Sequence, residues 1–273
     1  MVKGSVEKKN IVITDVSLSF DGTVALAGVN LDIMDNELMA LIGPNGSGKT
    51  SLINSITGYY HPQRGDISFN DTQLVGLKPH KVSAMGIGRT FQKVELFNHL
   101  SVIDNLMVAR HNKIKQDIFS GIFYFGKARK VEIQNRGMVE EIIDFMELEQ
   151  VRKEIVGVLP YGLRKRIGLA RALAMEPKIL LLDEPMAGMN VEEKEDLVRF
   201  VLDIYRGARF GYCSDFLNRG IRCIVLVEHD MGVVMDIAHR IAVLDSGRKI
   251  AEGSPEEITK NPRVIKAYLG EEI

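Results

Sequence analysis

The arrangement of apolar and polar residues predicts strands in the first third of the chain and at several later points. Apolar and polar residues alternate from Ile11 to Met34, with Val29, Leu31 and Ile33 on one face, as in half-buried antiparallel strands. Another short strand is expected from Gly65 to Asn70. We therefore predict a mixed sheet in the first third of the chain. Mostly apolar runs, which are typical of strands buried on both faces, follow at 38–42, 179–182 and 221–227.

Helical periodicity dominates the middle of the chain. Between Ala128 and Leu148, apolar residues recur at helical spacing beneath a charged outer face: Val131, Met138, Val139, Ile142, Phe145 and Met146. Ser101 and Asp104 are expected to form an N-cap pair for a helix that ends near His111. Other helices are expected at 51–57, 164–175 and 191–205 and after Ser254, and a hairpin is expected at 241–251.

Three segments fit these patterns less well. The stretch 86–95 is expected to be a mostly polar connector. The aromatic stretch 119–125 is interpreted as a hydrophobic staple on its own subdomain, with a partner-facing loop as the alternative. The segment 206–220 is longer than a helix-to-strand connection usually needs, and its function is not evident from the sequence.

Composition narrows the classes of function. The chain has 273 residues and a formal net charge of −1, so it lacks the basic footprint of a nucleic-acid-binding protein. Residues 1–10 lack the apolar core of a signal peptide, and no apolar run is long enough to span a bilayer. We therefore expect the chain to stay in the cytoplasm, where Cys213 and Cys223 are most simply free thiols.

A glycine-rich loop is the strongest chemical signal in the sequence. It lies between an expected strand and an expected helix and fits the pattern G-x-x-x-x-G-K-[ST]: Gly43, Pro44, Asn45, Gly46, Ser47, Gly48, Lys49 and Thr50. Backbone N–H groups in such a loop hold a triphosphate, and side chains at Gly46 or Gly48 would block that approach. Lys49 is expected to contact the β and γ phosphates, and the Thr50 hydroxyl to bind Mg²⁺. Ser51 completes the predicted nucleotide-binding set, and a simple Gly-rich turn is the alternative.

Acidic and polar residues that follow other strands supply candidates for hydrolysis. Asp183 and Glu184 directly follow an apolar strand, where the first carboxylate suits Mg²⁺ and the second can polarise an attacking water. His229, after the next buried strand, is suited to contact a γ-phosphate, and Gln92 to contact Mg²⁺ or water. Phe20 can stack on a nucleotide base. Taken singly, His229, Gln92 and Phe20 also fit a structural histidine, a solvated loop glutamine and a core phenylalanine.

Together these motifs closely resemble the nucleotide-binding subunit of ABC transporters over nearly the whole length. The resemblance implies an α/β P-loop NTPase fold, with a RecA-like core, an antiparallel β-subdomain and a helical subdomain at about 96–176, in a single ABC ATPase domain at 1–273. It implies that Phe20 stacks on the base, Gln92 forms the Q-loop, Glu184 is the catalytic base and His229 is the switch histidine. It also implies a D-loop at 186–190, with Asn190 where Asp is frequent.

A narrower resemblance is to the ATPases of branched-chain amino acid importers. It rests on Arg89-Thr90-Phe91-Gln92, the long segment 112–137, Ala187-Gly188-Met189-Asn190 and the tail at 264–270. Importers of amides or urea look similar. The implied ligands are ATP and Mg²⁺, and the implied partners are membrane-spanning permease subunits and, indirectly, a substrate-binding protein. The subunit would then be peripheral, at the cytoplasmic face of the membrane.

The sequence departs from the family at its signature, which is Leu-Ser-Gly-Gly-Gln. This chain has Leu159, Pro160, Tyr161, Gly162 and Leu163 there. Pro160 removes a hydroxyl and an N–H, and Leu163 removes an amide, so hydrogen bonds of about 1.5–3 kcal/mol each are lost at the site formed with another subunit. We therefore favour a heterodimer with a second ATPase subunit that has an intact signature over a homodimer. The alternatives are a nucleotide-gated regulatory subunit that hydrolyses weakly and, in another class, an ABC ATPase that acts on nucleic acid or ribosomes.

Overall fold

The computed structural model describes residues 9–90, 95–111, 127–210 and 221–269. Within these residues the chain divides into two compact units. The first comprises the described parts of Met1–Arg89, Ile179–Glu184 and Arg222–Ile273, and the second those of Thr90–Lys178 and Pro185–Ile221. The predicted boundaries of the single ABC domain and of its helical subdomain stay predictions.

The first unit contains a four-stranded antiparallel sheet in the order β2-β1-β4-β5. Its strands are β1 (Lys9–Phe20), β2 (Thr23–Met34), β4 (Arg64–Phe69) and β5 (Thr72–Gln73). Val29, Leu31 and Ile33 are buried, so the alternating pattern is confirmed. The prediction of one mixed sheet in this part of the chain is wrong, because the strand at 38–42 joins a different sheet.

A six-stranded sheet in the order β10-β9-β3-β8-β7-β6 forms the centre of the first unit. Its strands are β3 (Leu38–Ile42), β6 (Ile87–Thr90), β7 (Ile179–Asp183), β8 (Cys223–Val227), β9 (Arg240–Asp245) and β10 (Arg248–Gly253). The strands β3, β7 and β8 are buried at every position, as their apolar runs predict. Strand β3 pairs in parallel with β8 and β9, and β7 pairs in parallel with β8.

Strand β6 corrects the expectation of a polar connector at 86–95. The strand covers only four residues and includes Gly88, so its own pattern does not predict it. It nevertheless lies at the edge of the sheet beside β7, and the N–H of Ile179 donates to the Gly86 carbonyl at 3.0 Å. Tertiary pairing, not local propensity, makes this segment a strand.

Helices of the first unit flank its sheets: α1 (Lys49–Ile56), α2 (Pro79–Ala84), α7 (Met231–Ile237), α8 (Pro255–Thr259) and α9 (Pro262–Leu269). Helix α1 begins two residues before the predicted start, at the lysine of the glycine-rich loop. Ser254 and Glu257 form the predicted capping box of α8. The core of this unit lies between the two sheets and α1, where Leu26, Leu41, Leu52 and Val225 are buried together.

The second unit is helical: α3 (Val102–Ala109), α4 (Lys127–Phe145), α5 (Tyr161–Ala174) and α6 (Val191–Phe210). Ser101 caps α3 through the Asp104 N–H, as predicted. Val131, expected on the inner face of α4, is 37% exposed, whereas Val139 and Ile142 are fully buried. Helix α6 extends to Phe210, so the start of the supposed long connection at 206–220 is helical.

Several predictions fall outside the described residues. They concern Cys213, the aromatic stretch 119–125 and the remainder of the 206–220 segment. The other cysteine, Cys223, is a buried free thiol. In the part of the chain that the structure describes, no helix is both long and apolar enough to cross a bilayer.

Candidate functional site

The glycine-rich loop connects the carboxyl end of β3 to the start of α1, as the sequence predicts. Gly43, Gly46 and Gly48 all have positive φ, at 148°, 79° and 104°. A Cβ at Gly43 would overlap the Leu244 carbonyl oxygen, and one at Gly48 would lie 2.5 Å from the Ala25 carbonyl oxygen. A Cβ at Gly46 would meet nothing within 4 Å. Neighbouring backbone thus requires glycine at 43 and 48, whereas the conformation alone favours glycine at 46.

The turn between β9 and β10 supports this loop. The Gly247 N–H donates to the Ser47 carbonyl at 3.0 Å, and the Gly247 carbonyl accepts from the Ala27 N–H at 2.8 Å. One residue of the turn therefore links the loop to β2 of the antiparallel sheet. Since loops without such bonds are usually mobile, these contacts fix the loop backbone in place.

Lys49 turns back into its own loop. Its ammonium donates to the carbonyl oxygens of Gly43 at 2.7 Å and Pro44 at 2.9 Å. Burial lowers the pKa of Lys49, and the negative charges of Glu184 and Asp183 oppose that shift. The structure thus brings the lysine and both predicted carboxylates together within the first unit.

Strand order explains why these groups meet. Leu41 of β3 is opposite Val227 of β8, and Val227 is opposite Asp183 of β7. Because the three strands are parallel, their carboxyl ends lie at one edge of the sheet. The glycine-rich loop, the acidic pair and His229 all follow at this edge.

Asp183 and Glu184 have different environments. Asp183 is fully buried, and its Oδ2 lies 2.7 Å from Nη2 of Arg89. Glu184 has a left-handed backbone with φ of 46°, and its N–H donates to the Val227 carbonyl at 2.9 Å. A left-handed glutamate costs about 1–3 kcal/mol and is frequent at functional sites. The two acidic residues therefore differ in their partners and in their backbone conformation.

Two of the predicted site residues, His229 and Phe20, lie at the surface. The His229 side chain is 60% exposed, and its Nδ1 lies 3.8 Å from Glu228 Oε2. Phe20, at the end of β1, is 43% exposed and makes an edge-to-face contact with Tyr60 at 4.9 Å. Phe20 is thus not a core phenylalanine, and its ring is available for stacking. Gln92 lies outside the described residues.

The predicted signature lies in the second unit, at the start of α5. Pro160 is the N-cap residue, and no side chain caps this helix. A Cβ at Gly162 would overlap the Glu193 carboxylate, and one at Gly188 would lie 3.1 Å from the Tyr161 ring. Leu159, Tyr161 and Leu163 are the other signature residues around Gly162. The signature tyrosine therefore packs against Gly188 of the predicted D-loop, and the signature glycine against Glu193 in the first turn of α6.

The comparison with protein families decides the identity. The model of the ABC transporter family matches residues 26–187. The chain belongs to the ABC transporter family. A second model, of the branched-chain amino acid ATP-binding cassette transporter, matches residues 248–273. The ATPase class and the α/β P-loop fold predicted from the sequence are confirmed.

Relatives and solved structures agree with this assignment. The high-affinity branched-chain amino acid transport ATP-binding protein LivG of Escherichia coli is 37% identical over 259 residues, which are 95% of this chain and 97% of LivG. A crystal structure of a nucleotide-free ATP-binding cassette from an ABC transporter is 27% identical, with a TM-score of 0.78, over 96% of this chain and 100% of that chain. An ADP conformation of an ABC transporter cassette is 25% identical, with a TM-score of 0.77, over 96% of this chain and 99% of that chain.

The residues predicted to hold magnesium suit that ion by their chemistry. Thr50 lies in the first turn of α1, and Asp183 offers a buried carboxylate whose charge Arg89 balances. Among the described residues no group of three or more His, Cys, Asp or Glu could hold a metal ion. Thr50 and Asp183 offer oxygen atoms, which suit Mg²⁺ because proteins bind this ion through one or two oxygen ligands together with substrate phosphates.

Two residues near this site, Arg89 and Tyr268, were not predicted from the sequence to contribute to it. Arg89 contacts Asp183 across 94 positions of the chain. Tyr268 of α9 accepts a hydrogen bond from the Gly43 backbone N–H, which opposes the rise in the pKa of Tyr268 that burial causes. Both contacts are long-range, so neither periodicity nor spacing predicts them. The matches to Arg89-Thr90-Phe91-Gln92 and to the C-terminal tail are the only hints.

Proposed function

We propose that this chain is the ATP-binding subunit of an importer for branched-chain amino acids. The observation that carries the proposal is the position of Lys49: its ammonium lies in the glycine-rich loop and within the field of Asp183 and Glu184. A cation beside phosphate-binding N–H groups and two carboxylates suits phosphoryl transfer to water. The substrate class is supported by the C-terminal family match and by the name of LivG.

Each group of residues at the site has a distinct task in this proposal. Backbone N–H groups between Asn45 and Ser51 bind the phosphates at the positive end of α1, and Lys49 neutralises the β and γ phosphates. Phe20 stacks on the base. Thr50, Asp183 and Gln92 hold Mg²⁺, which neutralises charge on the phosphates when it is bound.

In this proposal, hydrolysis depends on the carboxylate of Glu184, which follows the metal ligand Asp183 in the sequence. Glu184 orients and polarises the attacking water, and His229 contacts the γ-phosphate. The left-handed conformation of Glu184 and the hydrogen bond from its N–H to the Val227 carbonyl fix the backbone from which this carboxylate extends. ATP binding closes a head-to-tail dimer, and hydrolysis reopens it.

The partners follow from the altered signature. We place this chain in a heterodimer, in which its intact loop works against the intact signature of a second ATPase subunit. Pro160 supplies neither a hydroxyl nor an N–H, and Leu163 supplies no side-chain amide, so a homodimer would contain two weakened sites. Separate permease subunits convert the motion into import, and a substrate-binding protein delivers the amino acid. The subunit is then peripheral, at the cytoplasmic face of the membrane.

Reconstitution tests the function. The chain is purified alone and together with a partner ATPase subunit that has an intact signature, and ATP turnover is measured per dimer. We expect the pair to be faster by about ten-fold or more, because each bond lost to a charged phosphate costs about 1.5–3 kcal/mol. Equal turnover per dimer would contradict the heterodimer. The cargo is tested in cells that lack the chain, by supplying the chain again and measuring uptake. We expect uptake of leucine to return, with urea and a short amide as controls.

A second reading is favoured by the same substitutions. Pro160 and Leu163 suit a subunit that binds ATP and closes the dimer but hydrolyses weakly. In that case the measured turnover does not come from the site that contains Glu184. Substitution of Glu184 by Gln in this chain then leaves the residual turnover unchanged, whereas the leading proposal predicts that it collapses.

A further inference from the structure

Arg89 joins two parts of the first unit through one guanidinium group. Its Nη2 lies 2.7 Å from Asp183 Oδ2, and the two side chains are only 9% and 0% exposed. Its Nη1 donates to Asn54 Oδ1 at 2.5 Å and lies 3.4 Å from Thr57 Oγ1. The guanidinium carbon is 5.9 Å from the centroid of the Tyr59 ring. Arg89 therefore connects the carboxyl end of β7 to the end of α1.

The connection matters because of what lies at the other end of α1. The helix begins at Lys49 and Thr50 and continues to Ile56. Asn54 lies in its last turns, and Thr57 is its C-cap. A helix is rigid over this length, so a bond to its end fixes Asp183 relative to its beginning. The buried carboxylate also needs a partner charge, which Arg89 supplies.

We propose that Arg89 is a positioning residue that holds the Asp183 carboxylate at a fixed place relative to α1 and thereby sets the affinity for the divalent cation. The inference rests on the proposed function, in which Asp183 and Thr50 hold that cation. In this role Arg89 acts through Asp183 and not on the nucleotide or the metal itself. Partners in the outer shell of a metal site typically change metal affinity by about 10–100-fold when they are replaced.

The geometry requires arginine rather than any cation. The planar fork places one nitrogen on Asp183 and the other on Asn54 at the same time. A lysine ammonium is a single point on a flexible stem, so it can neutralise Asp183 but cannot hold both groups in one plane. Arg89→Lys therefore retains the charge and removes the bridge.

Two measurements separate positioning from a general structural role. Nucleotide affinity is measured with a fluorescent ATP analogue in EDTA, and Mn²⁺ affinity is measured by electron paramagnetic resonance with a saturating non-hydrolysable analogue. For Arg89→Lys we expect nucleotide affinity in EDTA within about two-fold of wild type and Mn²⁺ affinity weaker by about ten-fold or more. Wild-type Mn²⁺ affinity in a folded Arg89→Lys variant overturns the proposal, as does an equal loss in both measurements.

A matched control and a second variant complete the test. Arg199→Lys alters an arginine that pairs with Glu147 in the second unit, and it should leave both affinities unchanged. If Arg89→Lys does not fold, Asn54→Ala decides, because it removes one end of the bridge and keeps the charge. We expect weaker Mn²⁺ binding with normal nucleotide binding, and unchanged Mn²⁺ binding overturns the inference. If wild type binds nucleotide in EDTA but never Mn²⁺, the proposed metal site fails as well.

Discussion

Gly43 lies directly against the backbone of Leu244, so that a Cβ at position 43 would overlap the Leu244 carbonyl oxygen. The same Cβ would lie 2.7 Å from the Ser47 hydroxyl. Strand β9 thus limits the first residue of the glycine-rich loop to glycine. The backbone of β9 therefore restricts the residue type at position 43 without any ligand.

The first prediction compares two glycines of this loop. Gly43→Ala should lower the free energy of unfolding by about 1–3 kcal/mol, because the methyl group overlaps backbone that cannot move freely. It should also weaken ATP binding about hundred-fold, since a displaced loop loses several hydrogen bonds to phosphate. Thermal unfolding and titration with a fluorescent ATP analogue measure the two effects.

Gly46→Ala is the matched control. A Cβ there meets nothing within 4 Å, although φ is 79°. The left-handed conformation alone costs about 1–2 kcal/mol, so Gly46→Ala should be the more stable variant of the two. Equal loss of stability in both would show that the contact with Leu244 does not constrain the loop.

The second prediction concerns Glu184. Glu184→Gln keeps the shape of the side chain and the backbone hydrogen bond to Val227. It removes the carboxylate that is proposed to polarise water. We expect ATP turnover to fall by about 10²–10⁴-fold with ATP affinity and melting temperature near wild type. Glu147→Gln is the control, because Glu147 also has a left-handed backbone, with φ of 53°. Unchanged turnover in Glu184→Gln would mean that the measured hydrolysis comes from elsewhere and would favour the regulatory subunit.

The sequence predicts those parts of the fold and of the site whose signals lie in neighbouring residues. The runs that became β3, β7 and β8 are visible because strands buried on both faces need apolar residues at every position. The loop at 43–50 is visible because its residue types are fixed by phosphate chemistry. Both signals are local.

The features that could not be predicted from the sequence depend on contacts between residues far apart in the chain. Strand β6 forms because β7 lies beside it, although its own residues resemble a connector. Arg89 looks like an ordinary polar residue until Asp183 is brought next to it. The need for glycine at 43 similarly comes from Leu244, far along the chain. No pattern of local residues contains that information.

The third prediction tests the C-terminal helix. The Tyr268 hydroxyl accepts a hydrogen bond from the Gly43 N–H, in a segment matched by the branched-chain family model. Tyr268→Phe removes a bond worth about 0.5–1.5 kcal/mol, so ATP affinity should fall by up to about ten-fold. Arg263→Gln, an exposed change on the same helix, should have no effect. Identical affinities in the two variants would separate α9 from the nucleotide site.

The fourth prediction is a pH dependence in the second unit. The Arg199 hydrogen bond, more than any other influence, lowers the pKa of Glu147 below its ordinary value of 4.5. A depressed carboxylate pKa stabilises the fold above the ordinary value, and this contribution is lost as the pH falls through the lowered one. The side chains of Glu147 and Arg199 are 51% and 47% exposed, so the pair contributes only about 0.2–1 kcal/mol.

Glu147→Gln measures this contribution. Its deficit in the free energy of unfolding relative to wild type should be largest near neutral pH and should shrink below the ordinary carboxylate pKa. High salt should shrink it as well, because exposed charges are screened. A deficit that is constant with pH would assign the effect to lost packing instead of charge.

The fifth prediction repairs the signature. Pro160 occupies the N-cap of α5 without any side-chain cap, so Pro160→Ser should stabilise the helix by about 0.5–2 kcal/mol. The new hydroxyl, together with Leu163→Gln, should raise turnover of the chain alone by about ten-fold or more by restoring hydrogen bonds to phosphate. Pro160→Ala removes the ring without supplying the hydroxyl and is the matched control. Equal turnover in the Ser and Ala variants would mean that the signature serine does not limit hydrolysis, and the reason for favouring a heterodimer would disappear with it.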